Sequence, residues 1–418
     1  MSVATFSRQR ERATKRHRIA LMKPAARMNG MEEGRGISEN RLKIVPAEER
    51  RRSAGFLSAC AMRRDQIFMQ VNAQGADESR LLALDSLRAV AALAVLFYHY
   101  TEGYELIVRP HATPVPKFAL GYLGVDLFFV ISGFVIAWTL QRSASLSDFA
   151  LGRVARLYPA YLACAALSGI VTFGIGFNPA IIQTSDVPWN AVIGLPSLVR
   201  ANNLDPSYWT LGVEVSFYVM AAAFTYSLPK LRLEIFCLAW LTVSLAARAL
   251  LPEDSTFHLL LVSNYSPLFV AGAMLFSLSR NMQPDWLTCA TLAAAIAMCF
   301  IGDDHRWIRP TNGAGRCLFI ALVFAAATGR LAPLGNFRPL VTLGQASYSL
   351  YLIHQIVGYW IISNLERLGI APLISIATAT SVLIWLALCL RTWVEIPAQH
   401  ILRNAARKYH VGRRRNAT

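Results

Sequence analysis

Residues 85–100 read Asp85-Ser-Leu-Arg88-Ala-Val-Ala-Ala-Leu-Ala-Val-Leu-Phe-Tyr98-His99-Tyr100. The run is apolar and of helix length. It nevertheless carries Asp85, Arg88 and His99, and a charge near a bilayer centre costs at least ~2.5–3.5 kcal/mol on insertion scales. Arg88 and His99 are eleven residues apart. At about 100° per residue they fall within ~20° of three full turns, so both side chains share one helix face, roughly 16 Å apart along it. Asp85 lies one turn before Arg88, at a spacing that permits a side-chain pair. One helix therefore offers an ionic group near one membrane surface and, further along, an imidazole able to move protons near neutral pH. Taken alone, the stretch equally allows an interfacial anchor, with Asp85 as counter-ion to Arg88 and His99 in an aromatic belt beside Tyr98 and Tyr100.

The composition places this helix in a membrane. The chain has 418 residues, 55% hydrophobic and 16% charged, with a mean hydropathy of +0.39. Soluble domains carry about 25% charged residues, and here the charges lie between long apolar runs. The expected fold class is all-α, a polytopic transmembrane helical bundle. Ten spans are expected, at about 82–102, 119–141, 157–177, 208–228, 233–251, 262–279, 286–302, 315–329, 341–363 and 372–391. The seventh and eighth are short against the ~20 residues a bilayer needs. With both termini cytoplasmic, 33 of the 41 Lys and Arg residues fall inside, in line with the positive-inside rule. Topology thus accounts for most of the net charge of +16, and nucleic acid is not an expected partner. Residues 1–78 read as a basic, disordered cytoplasmic extension, or as a start-site artefact if the true start is Met62 or Met69. Residues 79–400 form the membrane domain and 401–418 a basic cytoplasmic tail. Of the seven cysteines, Cys164, Cys237, Cys289, Cys299, Cys317 and Cys389 fall in or at the ends of apolar runs. They suggest neither a disulfide framework nor a metal site. The longest expected outer loop, about 178–207, is too short for a soluble domain, so the chemistry belongs in the bundle or at its mouths.

Four further segments carry polar groups into apolar surroundings. Gly121-Tyr-Leu-Gly124-Val-Asp126 opens the second span and leads to Ser132-Gly133. The glycines suit close helix packing. Asp126 is either a buried functional acid or a partner for Arg88 or a helix N-terminus. Arg153-Val-Ala-Arg156-Leu-Tyr158 places two guanidinium groups on one helix face, a fork suited to phosphate. Plain positive-inside flanking explains the pair as well. Tyr208-Trp209-Thr-Leu-Gly-Val-Glu214 opens the fourth span. Glu214 is the one ionisable group in that apolar segment and is a functional candidate by default, or else a partner for Arg88 or Arg153. Tyr208 and Trp209 read as interface aromatics. In the ninth span Ser347, Tyr351 and His354 recur at near-helical spacing, as a hydrogen-bonded stripe between helices or as part of a catalytic site. Glu395, after the last span, is expected to partner an arginine. No phosphate-binding glycine loop, metal-ligand cluster or nucleophile elbow is present.

Together these segments resemble the acyltransferase-3 family of bacterial membrane O-acyltransferases. Arg88 with His99 matches that family's signature in the first span. LDSLRAVAALAVLFYH, GVDLFFVISGF, RVARLYPAY, YWTLGVEVSFY and SYSLYLIHQ are similar in type, order and spacing to its segments, over about residues 80–400. The resemblance implies an enzyme of the bacterial inner membrane. It would move an acyl group, commonly acetyl from acetyl-CoA, to a hydroxyl of a carbohydrate such as lipopolysaccharide or exopolysaccharide. It implies His99 as catalytic base, with Arg88 and Glu214 at the site and Arg153, Arg156 and Tyr158 toward the acyl donor. Asp85, Asp126, Ser132, Tyr208, Trp209, Ser347, Tyr351 and His354 are the supporting candidates. Acyl-CoA is a co-substrate; no permanently bound cofactor is implied. The chain ends soon after its last span, as in stand-alone members. The reading from another class is a proton-coupled transporter or flippase, which should show paired broken helices and internal symmetry.

Overall fold

The computed structural model describes residues 79–177, 203–252, 255–280, 285–301, 311–402 and 404. The basic extension, the loop 178–202 with Arg200, and most of the C-terminal tail lie outside those residues. Among the described residues there are helices and connecting turns, and no strand. In chain order the helices are α1 (Ser79–Ile107), α2 (Ala119–Arg142) and α3 (Leu146–Gly174). Then come α4 (Trp209–Ser227), α5 (Leu233–Leu250), α6 (Thr256–Leu260), α7 (Ser266–Arg280), α8 (Trp286–Met298) and α9 (Thr311–Ala327). Four short to medium helices follow, α10 (Ala332–Asn336), α11 (Arg338–Gln345), α12 (Ser347–Ile353) and α13 (Ile356–Arg367). The last is α14 (Pro372–Leu402).

Five of these helices, α1, α2, α3, α5 and α14, are long and apolar enough to cross a membrane. The other expected spans are shorter, broken or, in α4, interspersed with polar side chains. Helix α7 has 15 residues, about 22 Å at ~1.5 Å per residue, against a hydrocarbon core of ~30 Å. It is buried along nearly its whole length. Helix α4 has 19 residues but includes the hydroxyls and the carboxylate of Thr210, Glu214 and Ser216. The expected ninth span, 341–363, is not one helix. It is interrupted at Ala346 and again at His354–Gln355.

Local chemistry sets several ends. Ser145 caps α3, its hydroxyl accepting from the Asp148 amide at 3.2 Å, and Asp148 adds negative charge at the first turn. Pro372 opens α14, where its missing donor costs nothing. Helix α1 is regular to Tyr98 and then widens into a π-turn over His99–Gly103, with the Tyr104 amide bonded to the His99 carbonyl. Such widened turns gather at functional sites.

Helices α2 and α7 pack backbone against backbone. A Cβ on Gly133 would collide with the Phe269 carbonyl, and one on Gly272 with the Val130 carbonyl. Each glycine thus lets the other helix's backbone come within van der Waals contact, the main attractive term between helices in lipid. Around this pair lies one apolar core, containing Phe134, Phe217, Trp240, Phe269 and Met274. A second core surrounds Leu96, Tyr100, Tyr161, Tyr208, Leu350 and Leu383. Phe128 and Leu157 pack against both, and the polar cavity described next lies at this junction.

Candidate active site

The cavity is partly open and has a volume of about 70 Å³. Helix α1 contributes Arg88, α2 contributes Ser132, α3 contributes Arg153 and Arg156, and α4 contributes Thr210, Glu214 and Tyr218. Helix α12 adds Ser347, Tyr348 and Tyr351. Five segments far apart in sequence therefore converge on one space, and seven of the sequence candidates line it: Arg88, Ser132, Arg153, Arg156, Glu214, Ser347 and Tyr351. The charges on its walls are three guanidinium groups against one carboxylate.

Glu214 does not spend itself on an arginine. Its Oε1 accepts from Ser132 Oγ at 2.8 Å and from the Tyr218 hydroxyl. Tyr218 is one turn beyond Glu214 on the same face, the contact expected at that spacing. Arg88 faces Asp85 and Glu214 of opposite sign and Arg156 of like sign. Arg153 rests against aromatic rings, its guanidinium carbon 5.8 Å from the Phe149 centroid and 5.9 Å from that of Tyr218. The buried Nε atoms of Arg88 and Arg153 have no hydrogen-bond partner among the described residues. A buried cation with its Nε unpartnered and like charge nearby has the chemistry to accept an anion.

His99 does not line this cavity. It meets His354, with ring centroids 4.8 Å apart. His99 Nδ1 lies 2.9 Å from the Val95 carbonyl oxygen and 3.2 Å from His354 Nε2. His354 Nδ1 lies 2.5 Å from the Tyr351 carbonyl oxygen. A carbonyl only accepts, so each Nδ1 carries hydrogen, an assignment made from the partners. The His99 Nδ1–H is then shared between Val95 and the His354 lone pair. Its Nε2 keeps a lone pair for a base to use. Tyr351 joins the two regions: its hydroxyl is on the cavity wall, and its ring is 5.3 Å from that of His354.

The remaining candidates lie elsewhere, for identifiable reasons. Asp126 pairs with Arg316 at 2.9 Å, both side chains buried. Asp126 is six residues before Ser132, about 120° round the helix at ~100° per residue, so it faces α9 when Ser132 faces the cavity. Arg316, at the start of the eighth expected span, is thus inside the bundle. Asp85 accepts from Gln345 Nε2 at 3.3 Å, and Gln345 Oε1 accepts from Arg391 at 2.6 Å. It ties α1 to α11 and α14. Tyr158 flanks a neighbouring apolar groove between α3 and α4 that shares Arg153, Leu211 and Tyr218 with the cavity. Tyr208 is 1% exposed, stacked edge-on against Tyr161 inside the second core, where an interface position was expected. Trp209 packs on Phe129 and Tyr265. Glu395 accepts from Ser349 Oγ at 2.5 Å, a hydroxyl where an arginine was expected.

Sequence reasoning missed two buried groups, Asp205 and His111. Asp205 is 0% exposed, in the turn before α4. His111 is buried outside any helix, bonded through Nδ1 to Glu366 at 2.6 Å and through Nε2 to the Tyr100 carbonyl at 2.9 Å. The Asp-Pro-Ser sequence at 205–207 is a helix-start signature that marks Asp205 in retrospect; His111 has none.

Helices alone among the described residues, five of them apolar and of membrane length, and an arginine-rich cavity between them define an integral membrane protein with a buried polar site. The chain belongs to the acyltransferase-3 family, whose profile, described as an acyltransferase domain, matches residues 81–392. It is similar to the peptidoglycan O-acetyltransferase OatA of Listeria monocytogenes, 24% identical over 322 residues, covering 65% of this chain and 48% of that protein. It is also similar to acyltransferase MdmB of Streptomyces mycarofaciens, 25% identical over 311 residues, covering 66% of this chain and 79% of that one. The O-acetyltransferase OatA of Staphylococcus aureus strain NCTC 8325 is 26% identical over 322 residues, covering 66% and 50%. The matched region spans about half the length of the two OatA proteins. No solved structure matches.

Proposed function

We propose that the protein is an O-acyltransferase of the bacterial cytoplasmic membrane, moving an acyl group, acetyl first among them, from acyl-CoA to a hydroxyl of a surface or secreted carbohydrate. The observation that carries the reading is the cavity in which Arg88, Arg153 and Arg156 face a single carboxylate. Such a site suits the phosphates of a CoA donor. Arg153 and Arg156 fall on the cytoplasmic side in the ten-span topology with both termini inside, and that is where acyl-CoA is made. The name of the Listeria monocytogenes relative points to peptidoglycan as one acceptor class; lipopolysaccharide and exopolysaccharide hydroxyls offer the same nucleophile.

An alcohol attacks a thioester poorly because its proton is held tightly. His99 Nε2 takes that proton as the oxygen bonds to the thioester carbonyl carbon, a contribution of about 10²–10⁴-fold in rate. The Val95 carbonyl and His354 hold the other side of the ring and stabilise the imidazolium. The tetrahedral intermediate collapses with cleavage of the carbon–sulfur bond, and the imidazolium returns its proton to the CoA thiolate. Arg88 and His99 are roughly 16 Å apart along α1, a span that an extended pantetheine arm covers. The donor's phosphates therefore rest at the arginines while its thioester reaches the imidazole.

The test is mass spectrometry of surface and secreted glycans from cells with the gene, without it, and with His99→Ala. The acetyl mass increment is expected with the wild-type gene alone, the variant protein accumulating normally in the membrane. Glycans identical in all three strains overturn the proposal and favour a transporter or flippase. Wild-type acylation by His99→Gln removes His99 as the base.

A further inference from the structure

We infer that Asp205 is a positioning residue for the His99–His354 pair, acting through the break between α12 and α13. The inference rests on the reading of His99 as the base.

The break has no local cause. Residues 353–356 are Ile-His-Gln-Ile, with neither proline nor glycine, and a kink without those residues needs a side chain inserted into the helical ladder. Asp205 is that side chain. Its Oδ2 accepts from the Ile356 amide at 3.2 Å, the donor that in a continuous helix would bond to the carbonyl four residues back. Its Oδ1 accepts from the Ser207 amide at 2.9 Å and from Ser207 Oγ at 2.6 Å. One buried carboxylate thus closes the turn before α4 and opens α13, where negative charge at a helix start is favoured.

The consequence falls on His354, two residues before Ile356. Released from the helical ladder, its backbone carbonyl accepts from the Tyr100 hydroxyl at 2.9 Å. Its Nδ1 turns back to the Tyr351 carbonyl, and its Nε2 meets His99. On the other side of Asp205, the Ser207 carbonyl accepts from the Tyr351 hydroxyl at 3.2 Å, and Thr210 Oγ1 reaches that hydroxyl at 3.1 Å. Asp205 therefore sets α4, with its cavity residues, in register with the histidine pair. Among the described residues neither imidazole has a carboxylate as a direct hydrogen-bond partner. His99 takes its orientation from the Val95 carbonyl of its own helix, and His354 from the Tyr351 carbonyl beside this turn.

Asp205→Asn separates the functions of the two oxygens. An amide has one acceptor, so either the Ile356 amide or the Ser207 pair faces an NH₂. The assay follows transfer from acetyl-CoA to glycans taken from cells lacking the gene, with full-length protein. The expected result is a fall in kcat of about 10- to 100-fold, the usual cost of a lost supporting partner, with KM for acetyl-CoA within about twofold of wild type. In a His354→Ala background the same change should cost no more than about twofold further, because residues that act as one unit are not additive. Wild-type kcat for Asp205→Asn, or a fully additive double variant, overturns the inference. Should Asp205→Asn fail to accumulate, Ser207→Ala removes one bond and leaves the Ile356 contact; it is expected to lower kcat by about three- to tenfold, and wild-type kcat there overturns the inference. His99→Ala is run alongside. If it is inactive while Asp205→Asn is unchanged, this inference alone falls. If His99→Ala transfers normally, the base reading falls and takes this one with it.

Discussion

Replacing Arg153 and Arg156 by alanine discriminates between a donor site and plain topological flanking. A hydrogen bond to a charged group contributes about 1.5–3 kcal/mol, and tenfold in affinity corresponds to about 1.4 kcal/mol. Arg153 has its Nε buried without a partner and its guanidinium against Phe149 and Tyr218, so a phosphate there meets a preformed, desolvated donor. Loss of this one side chain should raise KM for acyl-CoA by roughly 10- to 100-fold, with kcat at saturation nearly unchanged, because the phosphates are held equally in ground and transition states. Solvated flanking charges would contribute about 0–1 kcal/mol, a change of at most about fivefold. The assay is acetyl-CoA-dependent transfer in membrane vesicles across a range of donor concentration, with thermal stability in detergent as control for lost ring contacts. Arg153→Lys should recover little, since a point charge does not reproduce a planar fork. A KM within about twofold of wild type for the double alanine variant refutes the donor-site assignment.

The Asp126–Arg316 pair makes a contrasting prediction: Asp126→Ala leaves a buried guanidinium uncompensated and should cost about 3–5 kcal/mol of stability. Donor KM should not change, and Asp126→Leu with Arg316→Met should restore much of the loss; thermal unfolding in detergent and transfer kinetics on the surviving protein check both statements. At the α2–α7 crossing, Gly133→Ala or Gly272→Ala drives a methyl into the opposite backbone, at a cost beyond the ~1–3 kcal/mol of ordinary overpacking, and should cut accumulation in the membrane. Gly152→Ala on α3 meets nothing within 4 Å and should be neutral or slightly stabilising, by about 0.4–1 kcal/mol. Equal accumulation of the three glycine variants would refute the packing argument.

Part of this site was legible because lipid makes ionisable residues conspicuous. Arg88, Glu214 and the Arg153/Arg156 pair stood out within or beside apolar runs, and all four line one cavity. The broken ninth span was not legible. Its sequence is continuous and apolar, and the break comes from Asp205, a residue 151 positions away in the chain from Ile356. Tyr208 misled for a related reason. An aromatic at the head of a span usually marks the interface, but here the short turn Pro206–Tyr208 directs the ring inward against Tyr161. Helix periodicity gives the face of a regular helix and says little about the turn that precedes it.

Asp126 and Glu214 show where the signal stops. Each is a carboxylate near the start of an apolar helix, and the membrane penalty applies to both alike. Their roles diverge through what lies opposite. Asp126 meets Arg316, an ion pair closed on itself inside the bundle. Glu214 meets two hydroxyls, and the buried Nε atoms of Arg88 and Arg153 beside it have no partner among the described residues. The cost of burial identifies a residue that must have a partner, whereas function depends on whether the partners within the bundle exhaust the charge. Around Asp126 they do. Around Glu214 the Nε donors of Arg88 and Arg153 remain without a partner, and an anionic donor, as proposed above, would supply one.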